Sequence, residues 1–212
     1  MISLLPKILQ FKAARAGLIR PGAPITLTYS VTAACQSNCK TCNIGLNYQK
    51  NPNLRNRDLS LTEIEKIFRT LGQIYFFNIS GGEPFLRRDL PQIIKLACEY
   101  LKPHIIHIPT NAIAAQPIHD LTAESLEIIR QFNPKVQLTV KPSIDGIGIV
   151  HDNIRGVPGN FDQLKKTINR LKLLETKYSN FHIELGTVIS NFNIHHIKDI
   201  EDYVHSLGIQ SY

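Results

Sequence analysis

Gln73-Ile-Tyr-Phe-Phe-Asn-Ile79 is followed by Ser80-Gly81-Gly82-Glu83-Pro84 and then by Asp89–Leu101, with Pro91 near the start of that last stretch. The first segment is β-branched and aromatic, the second is turn chemistry, and the third has a proline where a helix tolerates one; together they read as strand, loop and helix. The same order repeats on both sides. Upstream, Ile25–Val31 reads as a strand, and Ser60–Leu71 as a helix with Ser60 as N-cap and Glu63 completing a capping box. Downstream, strands are expected at His104–Ile108, Val136–Val140 and His182–Ile189. Helices are expected at Thr122–Phe132, Phe161–Tyr178 and Ile194–Leu207, the last with Gly208 as its C-cap, and Ile209–Tyr212 would open a sixth strand. Five strand-then-helix units in series predict an α/β fold, a parallel sheet with right-handed crossovers that is open or curled into an incomplete partial (β/α)6 barrel.

Composition sets outer limits. The chain has 212 residues, 43% hydrophobic and 19% charged, with 12 Gly and 12 Pro, which fits one domain with an ordinary core and excludes collagen-like and disordered classes. No run approaches the roughly 18 apolar residues of a membrane helix, and Pro6 and Lys7 interrupt the short apolar start, so a cytoplasmic protein without a membrane span is expected. Net charge is +7, unevenly spread: Met1–Arg57 holds eight basic residues and no Asp or Glu. The expected organisation is a basic N-terminal arm over 1–21, amphipathic around Ile8–Ile19, and a core domain over 22–212. A basic quarter attracts anionic partners such as RNA, although no aromatic-rich RNA platform accompanies it.

Three of the four cysteines stand together in Cys35-Gln-Ser-Asn-Cys39-Lys-Thr-Cys42. A disulfide framework suits neither the expected compartment nor the odd number, and a structural zinc site wants a fourth ligand. The fourth cysteine, Cys98, lies in an apolar–polar repeat and reads as a buried structural thiol. Iron–sulfur clusters take thiolate ligands, and three would leave one iron of a 4Fe–4S cube open for another molecule. The unusual residues all follow strands: the cysteines after the first, Gly81–Pro84 after the second, Thr110-Asn111 after the third, Ser143–Gly146 after the fourth and Asn191 after the fifth. In parallel α/β folds those ends form one crevice, so residues scattered along the chain are expected to meet there.

Cys35-x3-Cys39-x2-Cys42 followed by Gly-Gly-Glu-Pro resembles the radical S-adenosylmethionine (SAM) superfamily. Ser143-Ile-Asp145-Gly and His151-Asp-x-x-Arg155-Gly resemble the branch with anaerobic sulfatase-maturating and peptide-modifying enzymes and molybdenum-cofactor biosynthesis protein A. The resemblance implies that Cys35, Cys39 and Cys42 ligate a 4Fe–4S cluster whose unique iron is chelated by SAM. It implies that Gly81 and Gly82 admit the methionyl ammonium, that Glu83 orients their loop and adds charge, that Asn111 lines the pocket (capping a turn is the equal alternative), that Ser143 hydrogen-bonds SAM and that Arg155 pairs with its carboxylate. Asp145 is expected either to contact the pocket or, the favoured reading, to cap its own Gly turn, His151 and Asp152 to organise the Arg155 loop, and His195-His196 to lie on the surface.

By the same resemblance, the chemistry is reductive cleavage of SAM to a 5′-deoxyadenosyl radical that abstracts hydrogen from a substrate, a peptide or protein or a cofactor precursor, with flavodoxin or ferredoxin as low-potential electron donor. Family members often place an aromatic residue where Thr41 stands, and a glycine where Ala112 stands. Members also continue past the point where Tyr212 ends this sequence, so a truncated member is expected that has lost part of its substrate site or recovers it from a partner chain supplying the C-terminal part. The alternative is a non-catalytic iron–sulfur or zinc module whose basic arm binds RNA or a partner.

Overall fold

The structure is a computed structural model and describes residues 4–20 and 22–209. Five strands, β1 (Thr26–Ser30), β2 (Phe76–Ser80), β3 (Ile105–Thr110), β4 (Gln137–Pro142) and β5 (Phe181–Ile183), form one sheet in the order β1-β2-β3-β4-β5. Every pair is parallel. Strand order that follows chain order has no reversal point, unlike a doubly wound sheet, and is the arrangement of a barrel wall. The helices are α1 (Leu5–Arg15), α2 (Ile44–Lys50), α3 (Leu61–Leu71), α4 (Leu90–Leu96), α5 (Ala115–Phe132), α6 (Ile149–Arg155), α7 (Asn160–Lys177) and α8 (Ile197–Ser206).

Period-two alternation gives the sheet two unlike faces. Phe77, Ile79, Ile106, Ile108, Leu138, Val140, Phe181 and Ile183 point to one side and are buried against Ile64 and Phe68 of α3, Ile93 and Ile94 of α4, Leu126 and Ile129 of α5, and Leu171 of α7. The alternate residues, including Thr28, Asn78, His107, Thr139, Lys141 and His182, form the opposite, polar face. A second apolar cluster joins Ala112, Ile144 and Leu185 above the strands to Phe161 and Leu164 of α7 and to Ile200 and Val204 of α8.

Local signals explain most boundaries. Ser60 caps α3 in a complete capping box: its hydroxyl accepts from Glu63 N, and the Glu63 carboxylate accepts from Ser60 N at 2.8 Å. α5 begins at Ala115 rather than Thr122, because Pro117 falls in the first turn, where its missing N–H leaves no bond unmade. The chain after Leu96 continues as one π turn, Ala97–Leu101, closed by Lys102 at φ 45°. β5 is shorter than the expected 182–189: beyond Ile183 the pairing thins to Glu184 N on the Val140 carbonyl, Gly186 N on the Pro142 carbonyl and the Ser143–Gly186 bridge, and Val188 and Ile189 are exposed. α2 and α6 carry no side-chain N-cap and are seven residues each, too short for a periodic signal. α1 buries none of its residues and is tied down where Lys7 Nζ donates to the Gln73 carbonyl at 2.6 Å. The expected sixth strand falls largely on residues 210–212, outside those described.

Phe77 is fully buried and meets Phe68 edge-on with ring centroids 5.5 Å apart. Phe77→Ala is expected to cost about 3–5 kcal/mol by leaving a cavity at the centre of this layer. The measurement is the urea midpoint at unchanged m-value, and a loss under 1 kcal/mol (about the cost of an ordinary surface change) would contradict the packing described.

Candidate functional site

The loop after β1 lies between two other loops and is hydrogen-bonded to both. On one side Gly82 N donates to the Thr32 carbonyl at 2.7 Å and Glu83 N to the Ala34 carbonyl at 2.8 Å. A Cβ at Gly82 would stand 2.1 Å from the Ala34 oxygen, and one at Gly81, where φ is +139°, 2.5 Å from the Thr32 oxygen. The two glycines are therefore required by contact with the backbone that leads into the cysteines, a cause the sequence reading did not contain. On the other side Asn38 N donates to the Arg155 carbonyl at 3.0 Å and Lys40 N to the Ile154 carbonyl at 2.8 Å, docking the loop on the end of α6. None of the thiols of Cys35 (half-buried), Cys39 (buried) and Cys42 (exposed) is in a disulfide.

Glu83 is buried and holds the loop after β2 to the end of β3. Its carboxylate accepts from Phe85 N at 3.2 Å, from the Thr110 hydroxyl at 2.9 Å and from Asn111 N at 2.7 Å. Burial pushes its carboxyl up to about 7 against the pull of those bonds. Asn111 Oδ1 accepts from Ile113 N, and Asn111 Nδ2 donates to Cys35 Sγ at 3.9 Å, so this residue both caps its turn and touches a thiol. Ala112 has φ +60°, a left-handed conformation that costs an L-residue about 1–2 kcal/mol, which is the physical reason a glycine suits this place.

Arg155 and Asp145 form a buried ion pair, Nη1 to Oδ2 at 3.1 Å. Asp145 does not cap its own turn as expected: Oδ1 accepts from Val188 N at 2.9 Å, tying the end of β4 to the chain beyond β5. Its main chain is held as well, since its N–H donates to His151 Nδ1 at 3.1 Å and its carbonyl accepts from Asn193 Nδ2 at 3.2 Å. His151 Nδ1 is thus an acceptor, which leaves Nε2 to donate to Asn160 Oδ1 at 3.3 Å, and Asn160 Nδ2 donates in turn to the Asn111 carbonyl at 3.1 Å. Asn160 and Asn193 are fully buried parts of the site that sequence reading missed. Their signal is tertiary, an amide that answers otherwise unpaired main-chain groups. The expected Asn191 is exposed instead. Asp152 organises the turn after α6 through Gly159 N and Phe161 N. Of the histidine pair, His195 is exposed and His196 faces Asp199 at 3.6 Å. Ser143 closes the bridge to Gly186 at the same end of the sheet.

The donor set fits a thiolate-bound cluster with an anionic ligand beside it. Burial raises the Cys35 and Cys39 thiols, while the Arg155 guanidinium acts on both in the opposite direction. Arg155 Nε is buried and has no hydrogen-bond partner among the described residues, so donor capacity of the guanidinium remains for a carboxylate. Among the described residues no group of three or more His, Cys, Asp or Glu side chains is arranged around a single ion.

Burial lowers the His151 imidazole to about 4, from an ordinary value of 6.5. Between those values the unfolded chain binds a proton here that the folded chain does not, so this contribution to stability falls as pH drops from 6.5 to 4. Glu83 has the opposite sign, its raised folded value making its contribution fall as pH rises from 4.5 to 7. His151→Gln should therefore narrow its stability deficit against the parent by up to about 3 kcal/mol between pH 7 and pH 4. Chemical denaturation at the two pH values checks this, and a deficit independent of pH would contradict a neutral buried imidazole.

Similarity to known proteins gives the family and the fold. The model of the radical SAM superfamily matches residues 29–204. An AdoMet-dependent heme synthase of Oleidesulfovibrio alaskensis is 25% identical over 185 residues, 86% of this chain and 42% of that protein. Mycofactocin maturase MftC of Mycolicibacterium smegmatis is 28% identical over 153 residues, 70% of this chain and 34% of that protein. Native anSMEcpe with bound AdoMet and Kp18Cys peptide shares the fold with a TM-score of 0.64 at 16% identity, over 89% of this chain and 50% of that one. The chain thus spans half or less of the length of each of these relatives. From the end of β1 to α8 it is a member of the radical SAM superfamily.

Proposed function

We propose that this chain binds a 4Fe–4S cluster through Cys35, Cys39 and Cys42 and SAM through the loops around it, and acts as a radical SAM enzyme. The observation that supports this reading is the docking of the cysteine loop between Gly82-Glu83 and the end of α6, with Arg155 close enough to act on the Cys35 and Cys39 thiols. Together the two groups would supply reductive cleavage of the sulfonium and a radical that removes hydrogen from a substrate.

Each residue then has a task that the chain itself performs. The three thiols hold iron, and Asn111 Nδ2 supports the Cys35 sulfur. Asp145 fixes the guanidinium of Arg155, which leaves Nε for the carboxylate of SAM. Gly81, Gly82 and Glu83 set the loop against which the methionyl end would lie, and Ser143 offers its hydroxyl from the end of β4. Lys40, whose ammonium lies 5.5 Å from the Phe192 ring centroid, adds positive charge at the rim, which favours a more negative reduced cluster. A low-potential donor of the flavodoxin or ferredoxin kind would deliver the electron. The peptide bound in the anSMEcpe structure supports a peptide or protein substrate, and the heme synthase relative supports cofactor biosynthesis as the other class.

Anaerobic reconstitution tests the reading: iron and sulfide should be incorporated together, and dithionite should release 5′-deoxyadenosine from SAM. Cys39→Ala should lose the iron, the sulfide and the visible charge-transfer absorbance. Zinc without sulfide in the parent would instead establish the structural-module alternative. Arg155→Lys keeps a cation against Asp145 and removes the fork, so SAM should bind about tenfold more weakly at unchanged iron content. Unchanged affinity in a calorimetric titration would remove Arg155 from the cofactor site.

A further inference from the structure

The polar face of the sheet carries a connected set of side chains that the cofactor reading leaves unused. Neighbouring strands align Thr28, Asn78 and His107 in one row, and Asn78 Oδ1 lies 2.8 Å from His107 Nδ1. A carbonyl oxygen only accepts, so Nδ1 carries the proton and Nε2 presents its lone pair. Nε2 faces Glu184 Oε2 at 3.8 Å, too far for a hydrogen bond, while Glu184 Oε1 accepts from Lys141 Nζ at 2.7 Å. Burial, with Lys141 adding to it, holds the imidazole below its ordinary range against the pull of Glu184. The imidazole is fixed from below by Phe76, with ring centroids 5.8 Å apart.

Two acceptor atoms thus lie side by side 3.8 Å apart, with an ammonium of spare donor capacity on the same carboxylate. Gly186 leaves room for the end of the Lys141 side chain, since a Cβ there would stand 2.1 Å from Lys141 Cε. Lys141 and Ser143 are alternate residues and share a face, about 7 Å apart along the chain, so this cluster adjoins the end of β4 where SAM is proposed to lie.

We propose that His107, Glu184 and Lys141 form a subsite that binds an amide of the substrate, its N–H to His107 Nε2 and Glu184 Oε2 and its carbonyl oxygen to Lys141 Nζ. Lys141 and Glu184 neutralise each other, so the subsite rewards a neutral group with a donor and an acceptor side by side. An anion would face the Glu184 carboxylate and a cation the Lys141 ammonium. The proposal deepens the enzyme reading, on which it rests for the neighbouring cofactor, and narrows the substrate to a peptide or another amide.

The test uses the full 212-residue chain, labelled with 15N-histidine, and four probes: acetamide, N-methylacetamide, acetate and methylammonium. The amides should move the His107 Nε2 resonance saturably, and Lys141→Met and Glu184→Met should each weaken that binding about fivefold. An ion pair with a purely structural role would leave acetamide without effect on His107, and that result overturns the subsite. Tighter binding of acetate or of methylammonium than of acetamide overturns it too. SAM affinity is read separately by calorimetry on the cluster-loaded chain, so its absence would sink the cofactor reading while the amide titration still decides the subsite.

Discussion

The buried Asp145 carboxylate is the constraint on which the site depends. A charge without solvent must be paired, and removing one partner from such a pair typically costs about 3–5 kcal/mol. Here the two oxygens draw in the Arg155 guanidinium and Val188 N, and the Asp145 main chain engages His151 and Asn193. One residue thereby fixes α6, the segment beyond β5 and, through the Arg155 carbonyl, the loop of the cysteines. The chain continues through His151 and Asn160 to the Asn111 carbonyl at the end of β3. Loops separated by over a hundred residues share one network, and none can shift without leaving a polar group unpaired.

The division of the sheet into unlike faces organises everything else. Its apolar side buries Phe77, Ile106 and Leu138 under a single layer of helices, and this layer supplies the main driving force for folding. The polar side does not close on a core, and Asn78, His107, Lys141 and Glu184 can face a ligand there.

Legibility in the sequence followed the range of each interaction. β1 to β4, α3, α4 and α7 were readable because alternation, capping boxes and amphipathic spacing are local, and Ser60 with Glu63 is the clearest instance. The cysteines, Gly81–Glu83, Asn111 and Arg155 stand out in the sequence because they sit in recognisable spacings, and the fold brings them to one end of the sheet. α2 and α6 were missed because neither has a side-chain N-cap or the length to show a period. The β-branched tail after β5, Val188-Ile189, looks like a strand, yet among the described residues the ladder bonds to β4 and the loop after it end at Gly186. Asp145 was misread as a turn cap because a local bond to its own Gly turn is visible in sequence, whereas a bond to Val188, 43 residues away, is not.

The sequence by itself determined the succession of strand and helix, the order in which the strand ends carry unusual residues and the thiol spacing, since these depend on neighbours within a few positions. Only the tertiary structure decided why Gly82 has no side chain, which acid holds Arg155, that Asn160 and Asn193 belong to the site, and that Lys141 meets Glu184 across two strands. Those facts arise from close approach and from the need to pair every buried polar group, and both exist only once distant segments have been brought into contact.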